Sequence, residues 1–296
     1  MKKFLQLPVV RILIAILCLS IGLLVGQMLL NALRSALSIQ NTGLANLVAF
    51  VIIPPLVYVA YRQYILWLEK RDLTELSARN VLPDLGLGFV IGFGLFSLVI
   101  LTLWLLGLYH VSGLNFVALS LLGALAGAFV SAFAQELIFR AVIYRITEEW
   151  LGTGWALVIS AFLFGLIHLS SAGATLFSAL SVALQAGIVL AAAYALTHRL
   201  WLALGLHMAW DFANDGIFGV GVAGQSGQLL HGLFQSELHG PIWLTGGILG
   251  VEASVITLIV MLIAGVVMLC ALSQRGQWIS YKSRRRNETA HRVAEA

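Results

Sequence analysis

The chain alternates long apolar runs with short polar segments. The runs fall near residues 12–37, 43–66, 82–108, 114–141, 155–170, 175–197, 200–222 and 247–272. A crossing of the hydrocarbon layer takes about 20 apolar residues as a helix. Isolated runs in lipid have no strand partner for their backbone, so helix is the conformation each one predicts. The expectation is an all-α, polytopic membrane protein with about eight transmembrane helices enclosing a polar cavity, forming one domain over 1–296. Composition agrees: 60% of the residues are hydrophobic and only 10% are charged, which excludes a water-soluble surface.

Charge sets the sidedness. All but Arg34 and Arg140 of the 17 Lys and Arg residues fall before the first run, at the end of run two or between runs two and three, between four and five or six and seven, or after the eighth. Clustered basic loops stay inside the cell, so both termini are expected in the cytoplasm of an inner-membrane protein. The basic residues therefore read as topology signals and not as a nucleic-acid surface. The start, Met1-Lys2-Lys3, resembles a signal sequence, but Arg11 and the length of the following run make it a first span. Cys18 and Cys270 lie inside apolar runs, which offers no disulfide framework. The charged segment 67–80 predicts an interfacial helix, and 282–296 a basic cytoplasmic tail.

Against that background three polar clusters need a reason, because a charged group at mid-membrane costs roughly 2.5–3.5 kcal/mol on insertion scales. They are Gln135-Glu136 with Arg140 in the fourth run, Phe164 with His168 in the fifth, and His207 with Asp211 in the seventh. Glu136 and Arg140, like His207 and Asp211, are four apart and share a helix face. At about 1.5 Å per residue from the basic ends, Glu136, His168 and His207 reach similar depths near mid-membrane. A carboxylate and two imidazoles at one depth suit water activation and oxyanion stabilisation in peptide hydrolysis. Glu136, His168 and His207 equally suit a zinc ion with an open position, and such groups also build proton or ion pathways. Other polar residues read as ordinary: Phe164 and Trp210 as packing, Asp215 as a solvated helix end, Glu252 as snorkelling to water, and His231, Glu237 and His239 as loop residues without the preorganisation a metal requires.

These three clusters, in this order, resemble the CPBP (Abi) family of intramembrane proteases, related to the type II CAAX prenyl endopeptidases, whose pattern is EExxxR, FxxxH and HxxxN or HxxxD. The resemblance covers about 119–219. It implies a helical intramembrane endopeptidase whose cavity opens toward the cytoplasm and which cleaves a peptide or membrane-protein substrate near that face. It also implies roles: the first Glu of the pair and His168 activate water, His207 donates to the oxyanion, Asp211 orients His207, and Arg140 holds Glu136. The family mechanism is metal-free, so no cofactor is expected and zinc is the less favoured alternative. The chain departs from the pattern at Gln135, which stands at the first Glu and cannot accept a proton at neutral pH. Two outcomes follow. Either Glu136 is the base of a modified site, although one residue turns a side chain by about 100 degrees, or the chain is a catalytically inactive scaffold for a membrane partner. A small-solute or proton transporter is a third reading, weakened by the lack of an inverted repeat.

Overall fold

The computed structural model describes residues 2–170, 174–220 and 232–281, and its apolar runs fold as helices. A short α1 (Lys2–Leu5) precedes α2 (Pro8–Ala36), whose first turn begins at a proline that needs no amide partner there. The side chain of Asn41 accepts from the Leu44 amide and caps α3 (Thr42–Tyr64), which continues as a π-helical turn to Glu69. Then come α4 (Val81–Leu105), strand β1 (Tyr109–Leu114) and α5 (Ala118–Glu136). A π-helical stretch, Leu137–Tyr144, joins α5 to α6 (Arg145–Leu151), making one continuous helix. The second half holds α7 (Thr153–Ile167), α8 (Leu176–Val182), α9 (Ile188–Thr197) and α10 (Leu200–Asp211). Last are β2 (Phe234–Leu238), the one-turn α11 (Ile242–Thr245) and α12 (Val255–Gln274).

Among the described residues seven helices are long and apolar enough to cross a membrane, and the chain is a multi-pass membrane protein. The seventh expected span, α10 with its π-helical continuation Phe212–Ile217, is not one of the seven. Its polar residues His207, Asp211, Asn214 and Asp215 lower its apolarity. Nearly all of α10 is buried, so its surroundings are other helices and not lipid. By contrast α2 turns Leu17, Ile21, Leu24 and Met28 outward, as a lipid-facing helix should.

Three expectations are corrected. The 67–80 segment is not an interfacial helix: beyond Glu69 it runs as turns, with Lys70 in the left-handed region. Its carboxylates are drawn into a buried ionic cluster instead. Glu69 pairs with Arg11 at 2.8 Å and Arg145 at 2.9 Å, and Glu75 pairs with Arg71 at 2.7 Å and bonds the Tyr61 hydroxyl. The last membrane helix starts at Val255 and not near 247, because Gly246 and Gly250 take positive φ and Ser254 caps the new start. The long outer segment is not all loop: β2 pairs antiparallel with β1, with a bulge between Val111 and Gly113. Tyr109 and Ser236 hydroxyls both donate to the Phe218 carbonyl, at 2.9 and 2.6 Å, which pins the far end of the α10 continuation. The basic tail 282–296 lies outside the described residues.

The tightest crossing is between α4 and α10. A Cβ on Gly92 would stand 2.2 Å from the Leu206 carbonyl, and one on Gly205 2.2 Å from that of Leu85. Small residues let two backbones touch, which is how helices associate when no water drives them together. Gly94 has open space around it. Gly92→Val is therefore expected to lower the unfolding temperature in detergent, at a cost of about 1–3 kcal/mol, while Gly94→Ala leaves it within the scatter of the wild type. Equal behaviour of the two variants would contradict the close crossing. The ionic cluster predicts a pH response too. Burial pushes the Glu75 carboxyl up, but Arg71 and Arg145 outweigh it and hold the group below its usual 4.5. The folded state thus binds its proton later than the unfolded chain, and the stability this confers is present above pH 4.5 and lost as pH falls through the lower folded value. The stability gap between wild type and Glu75→Gln should be widest at neutral pH and narrow below pH 4.5.

Candidate active site

α10 brings His207 opposite Glu136 at the end of α5. His207 Nδ1 lies 2.8 Å from Glu136 Oε1, and Arg140 Nη1 lies 3.0 Å from the same oxygen. A carboxylate paired with a guanidinium accepts, so the imidazole carries its proton on Nδ1 and turns Nε2 the other way. Nε2 faces Asp211, whose Oδ2 is 3.8 Å away, an ion-pair distance too long for a hydrogen bond. Glu136 and Arg140 are fully buried. Arg140 reaches past Glu136 to the carbonyls of Gly187 and Ala186, at 3.3 and 3.5 Å, where the helix between α8 and α9 opens into a π-helical turn (Ala183–Gly187). Such turns free carbonyls from the regular ladder.

Phe164 is the hub of the arrangement. Its ring lies 4.5 Å from the Arg140 guanidinium carbon, 4.9 Å from the His168 ring and 5.8 Å from the His207 ring. The expected packing role holds for it, and what it packs is the site itself. His168 ends α7, with Nδ1 2.7 Å from the Phe164 carbonyl oxygen. A carbonyl can only accept, so Nδ1 carries the proton and Nε2 keeps a lone pair.

A cavity of about 300 Å³ opens beside these groups, lined by Gln135, His168, His207 and Asp211, with Gln185 and Asn214. Glu136 and Arg140 are not in its wall. The 100-degree step between neighbours on a helix explains this: Gln135 turns into the cavity and Glu136 turns into the protein, against α10. Gln135 donates through Nε2 to Ser131 Oγ at 2.9 Å, which leaves its carbonyl oxygen as the acceptor. Glu136 is thus buried and is not among the residues lining the cavity.

One Glu136 oxygen, Oε1, is held by a guanidinium and an N–H, while Oε2 is buried with no hydrogen-bond partner among the described residues. Among the described residues no three His, Cys, Asp or Glu side chains are grouped to hold a metal ion. Glu237 and His239 sit exposed and hydrogen-bonded to each other at 3.1 Å on the outer sheet, away from the cavity, and His231 lies outside the described residues.

Two sequence expectations change. Glu252, read as snorkelling, lines the cavity, with Oε1 accepting from Trp210 Nε1 at 3.0 Å. Asp215 is exposed as expected but also stands in the cavity wall. Gln185 and Asn214 were signalled only by being polar in apolar surroundings. Measured from the basic ends, the lining runs from His207, ~12 Å past Arg199, to Asp215, ~24 Å past it, and on α5 from Gln135, ~15 Å from Arg145, to Gly127, ~27 Å away. The cavity occupies the middle of the bundle and the half remote from the basic loops, and the exposed Ser131 and Asp215 mark its mouth.

The family model described as Type II CAAX prenyl endopeptidase Rce1-like matches residues 117–213. That segment carries Gln135, Glu136, Arg140, His168, His207 and Asp211, so the resemblance read from the three motifs is shown for it. No curated protein and no solved structure matches the chain.

The buried pair generates a test. Glu136→Gln leaves Arg140 charged and unpaired in the protein interior, which costs about 3–5 kcal/mol. The double variant Glu136→Gln with Arg140→Met removes the orphaned charge while the amide still accepts from His207, and should regain much of the lost unfolding temperature. A double variant as unstable as the sum of its singles would refute the coupling.

Proposed function

We propose that the protein is an intramembrane peptide hydrolase in which water is activated by His168 and not by a glutamate. The observation that carries the reading is the tautomer fixed at His168: with Nδ1 donating to the Phe164 carbonyl, Nε2 is a base held against the cavity. Gln135 supports it by accepting a hydrogen bond from the water through its free carbonyl oxygen. His168 Nε2 takes the proton as the water oxygen attacks the substrate carbonyl carbon, and later returns it to the leaving amine. His207 supplies the oxyanion donor. It does so as an imidazolium carrying a second proton: Glu136 accepts from Nδ1–H, so the added proton on Nε2 points into the cavity, where the negative charge develops. Asp211 stabilises that imidazolium from the other side. Arg140 holds the Glu136 carboxylate in place, making both positioning residues. Peptide or membrane-protein substrates fit a cavity of this size between lipid-embedded helices, and the bond is cleaved in the half of the membrane away from the basic loops. By the positive-inside rule that is the extracytoplasmic half.

One observation favours a second reading. The family's first Glu is here an amide that faces the cavity, and the remaining Glu136 is sealed away from it, an arrangement that also suits a scaffold that binds peptides without cleaving them.

The test uses the full chain in lipid nanodiscs with a library of single-span peptides. Cleavage should appear in the wild type and fall about 10²–10⁴-fold in His168→Ala, the range for loss of a general base. Loss in His207→Ala should appear mainly in kcat, because the oxyanion forms only after attack. Gln135→Glu should raise the rate. A wild type that is inert while Gln135→Glu cleaves would establish the scaffold reading, and cleavage unchanged in His168→Ala would dispose of the mechanism.

A further inference from the structure

The mechanism leaves the outer part of the cavity unused. Asp215 stands one turn beyond Asp211, and Glu252 faces the same space from the segment ahead of α12. Both lie outside the segment matched by the family model. Among the described residues no Lys or Arg side chain lines the cavity, and neither Asp215 nor Glu252 is paired with a basic group. Between them Asn214 is only 8% exposed and lines the same wall, yet its Oδ1 is buried without a hydrogen-bond donor among the described residues. A buried acceptor without a donor is costly, and so is the half-buried Glu252 carboxylate without a countercharge inside a membrane protein. The two carboxylates and the orphaned Asn214 carbonyl oxygen are all acceptors.

The geometry points to a subsite for a basic side chain: we propose that Asp215, Glu252 and Asn214 receive the ammonium or guanidinium of a lysine or arginine in the substrate. Asp211 and Asp215 are about 6 Å apart along the helix axis, and Glu252 faces them from another element, so the acceptors line a path instead of converging on a point. That suits a long side chain with several N–H groups at its tip. It does not suit a metal ion, for which the described residues provide no grouped ligands. The Trp210 indole N–H keeps one oxygen of Glu252 in place, leaving the other to the ligand. The cleavage half of this inference rests on the peptidase reading, whereas binding of the cation does not.

The experiment uses nanodisc protein and matched single-span peptides carrying lysine, norleucine or glutamate at each position flanking the scissile bond. In the wild type the best lysine peptide should exceed its norleucine counterpart by about tenfold or more in kcat/KM, the scale of discrimination by buried polar groups. In Asp215→Asn with Glu252→Gln that ratio should fall toward unity, with the glutamine still accepting from Trp210, and unfolding temperatures show that the variant is folded. Cleavage without lysine preference, or a preference that survives in the double variant, overturns the subsite while leaving the peptidase standing. If no peptide is cut, an N-methylated, uncleavable lysine peptide decides: binding about tenfold tighter than the norleucine peptide, and lost in the double variant, upholds the subsite without catalysis. Equal binding overturns it. Zinc or calcium that binds the wild type, fails to bind the double variant and brings no lysine preference also overturns it, in favour of a metal site.

Discussion

A carboxylate and a guanidinium, both sealed from solvent, hold the rest of this molecule in register. Glu136 Oε1 accepts from Arg140 and from His207 at once, and Arg140 goes on to the carbonyls near Gly187 and the face of Phe164. That one set of contacts ties α5, α7, α10 and the turn between α8 and α9 together. Buried charges are a poor source of net stability, but once present they tolerate few geometries, because any departure leaves a charge without its partner. The position of His207, and of Phe164 against both imidazoles, follows from that restriction.

The same restriction divides the labour between neighbouring residues. Glu136 turns inward to meet α10, and Gln135 is left facing the cavity. A side chain that has to satisfy Arg140 and His207 is not available to a water on the other side of the helix. In the proposed mechanism proton acceptance falls to His168, whose Nδ1 is held by a backbone carbonyl and needs no acidic neighbour. The π-helical stretches after Glu136 and Asp211, and before Ile188, occur where these side chains and carbonyls must be aimed off the regular helical stripe.

Polarity inside the bundle is organised along the membrane normal. At the basic end Arg11, Arg71 and Arg145 are matched by Glu69, Glu75 and Glu149, so the charges there close on themselves and clamp α2, α3 and α6. In the middle Arg140 and His207 share Glu136 Oε1, while Glu136 Oε2 and Arg140 Nε are buried without a hydrogen-bond partner among the described residues. Toward the far end the acceptors outnumber the donors, and that is where the cavity opens. The paired sheet β1–β2 holds the end of the α10 continuation through the Phe218 carbonyl, which keeps Asn214 and Asp215 on the wall.

Much of this was legible in the letters. Apolar runs of membrane length fix the helices, since lipid offers the backbone no other partner, and i,i+4 spacing correctly grouped Glu136 with Arg140 and His207 with Asp211. The polar residues in apolar runs marked the elements of the site, because burying them needs mutual compensation. Other features depended on how the helices pack. Whether Gln135 or Glu136 faces the cavity is a matter of helix rotation, set by what α10 presents opposite. Glu252 looked like an interfacial residue because its helix was expected to start near 247, and only the glycine-broken backbone ahead of Ser254 brings it to Trp210. Where along the bundle the cavity lies is likewise invisible in a list of spans. The sequence by itself determined which residues cannot face lipid; the tertiary structure decided which of them face each other and which face a void, because only packing fixes the rotation and depth of one helix against the next.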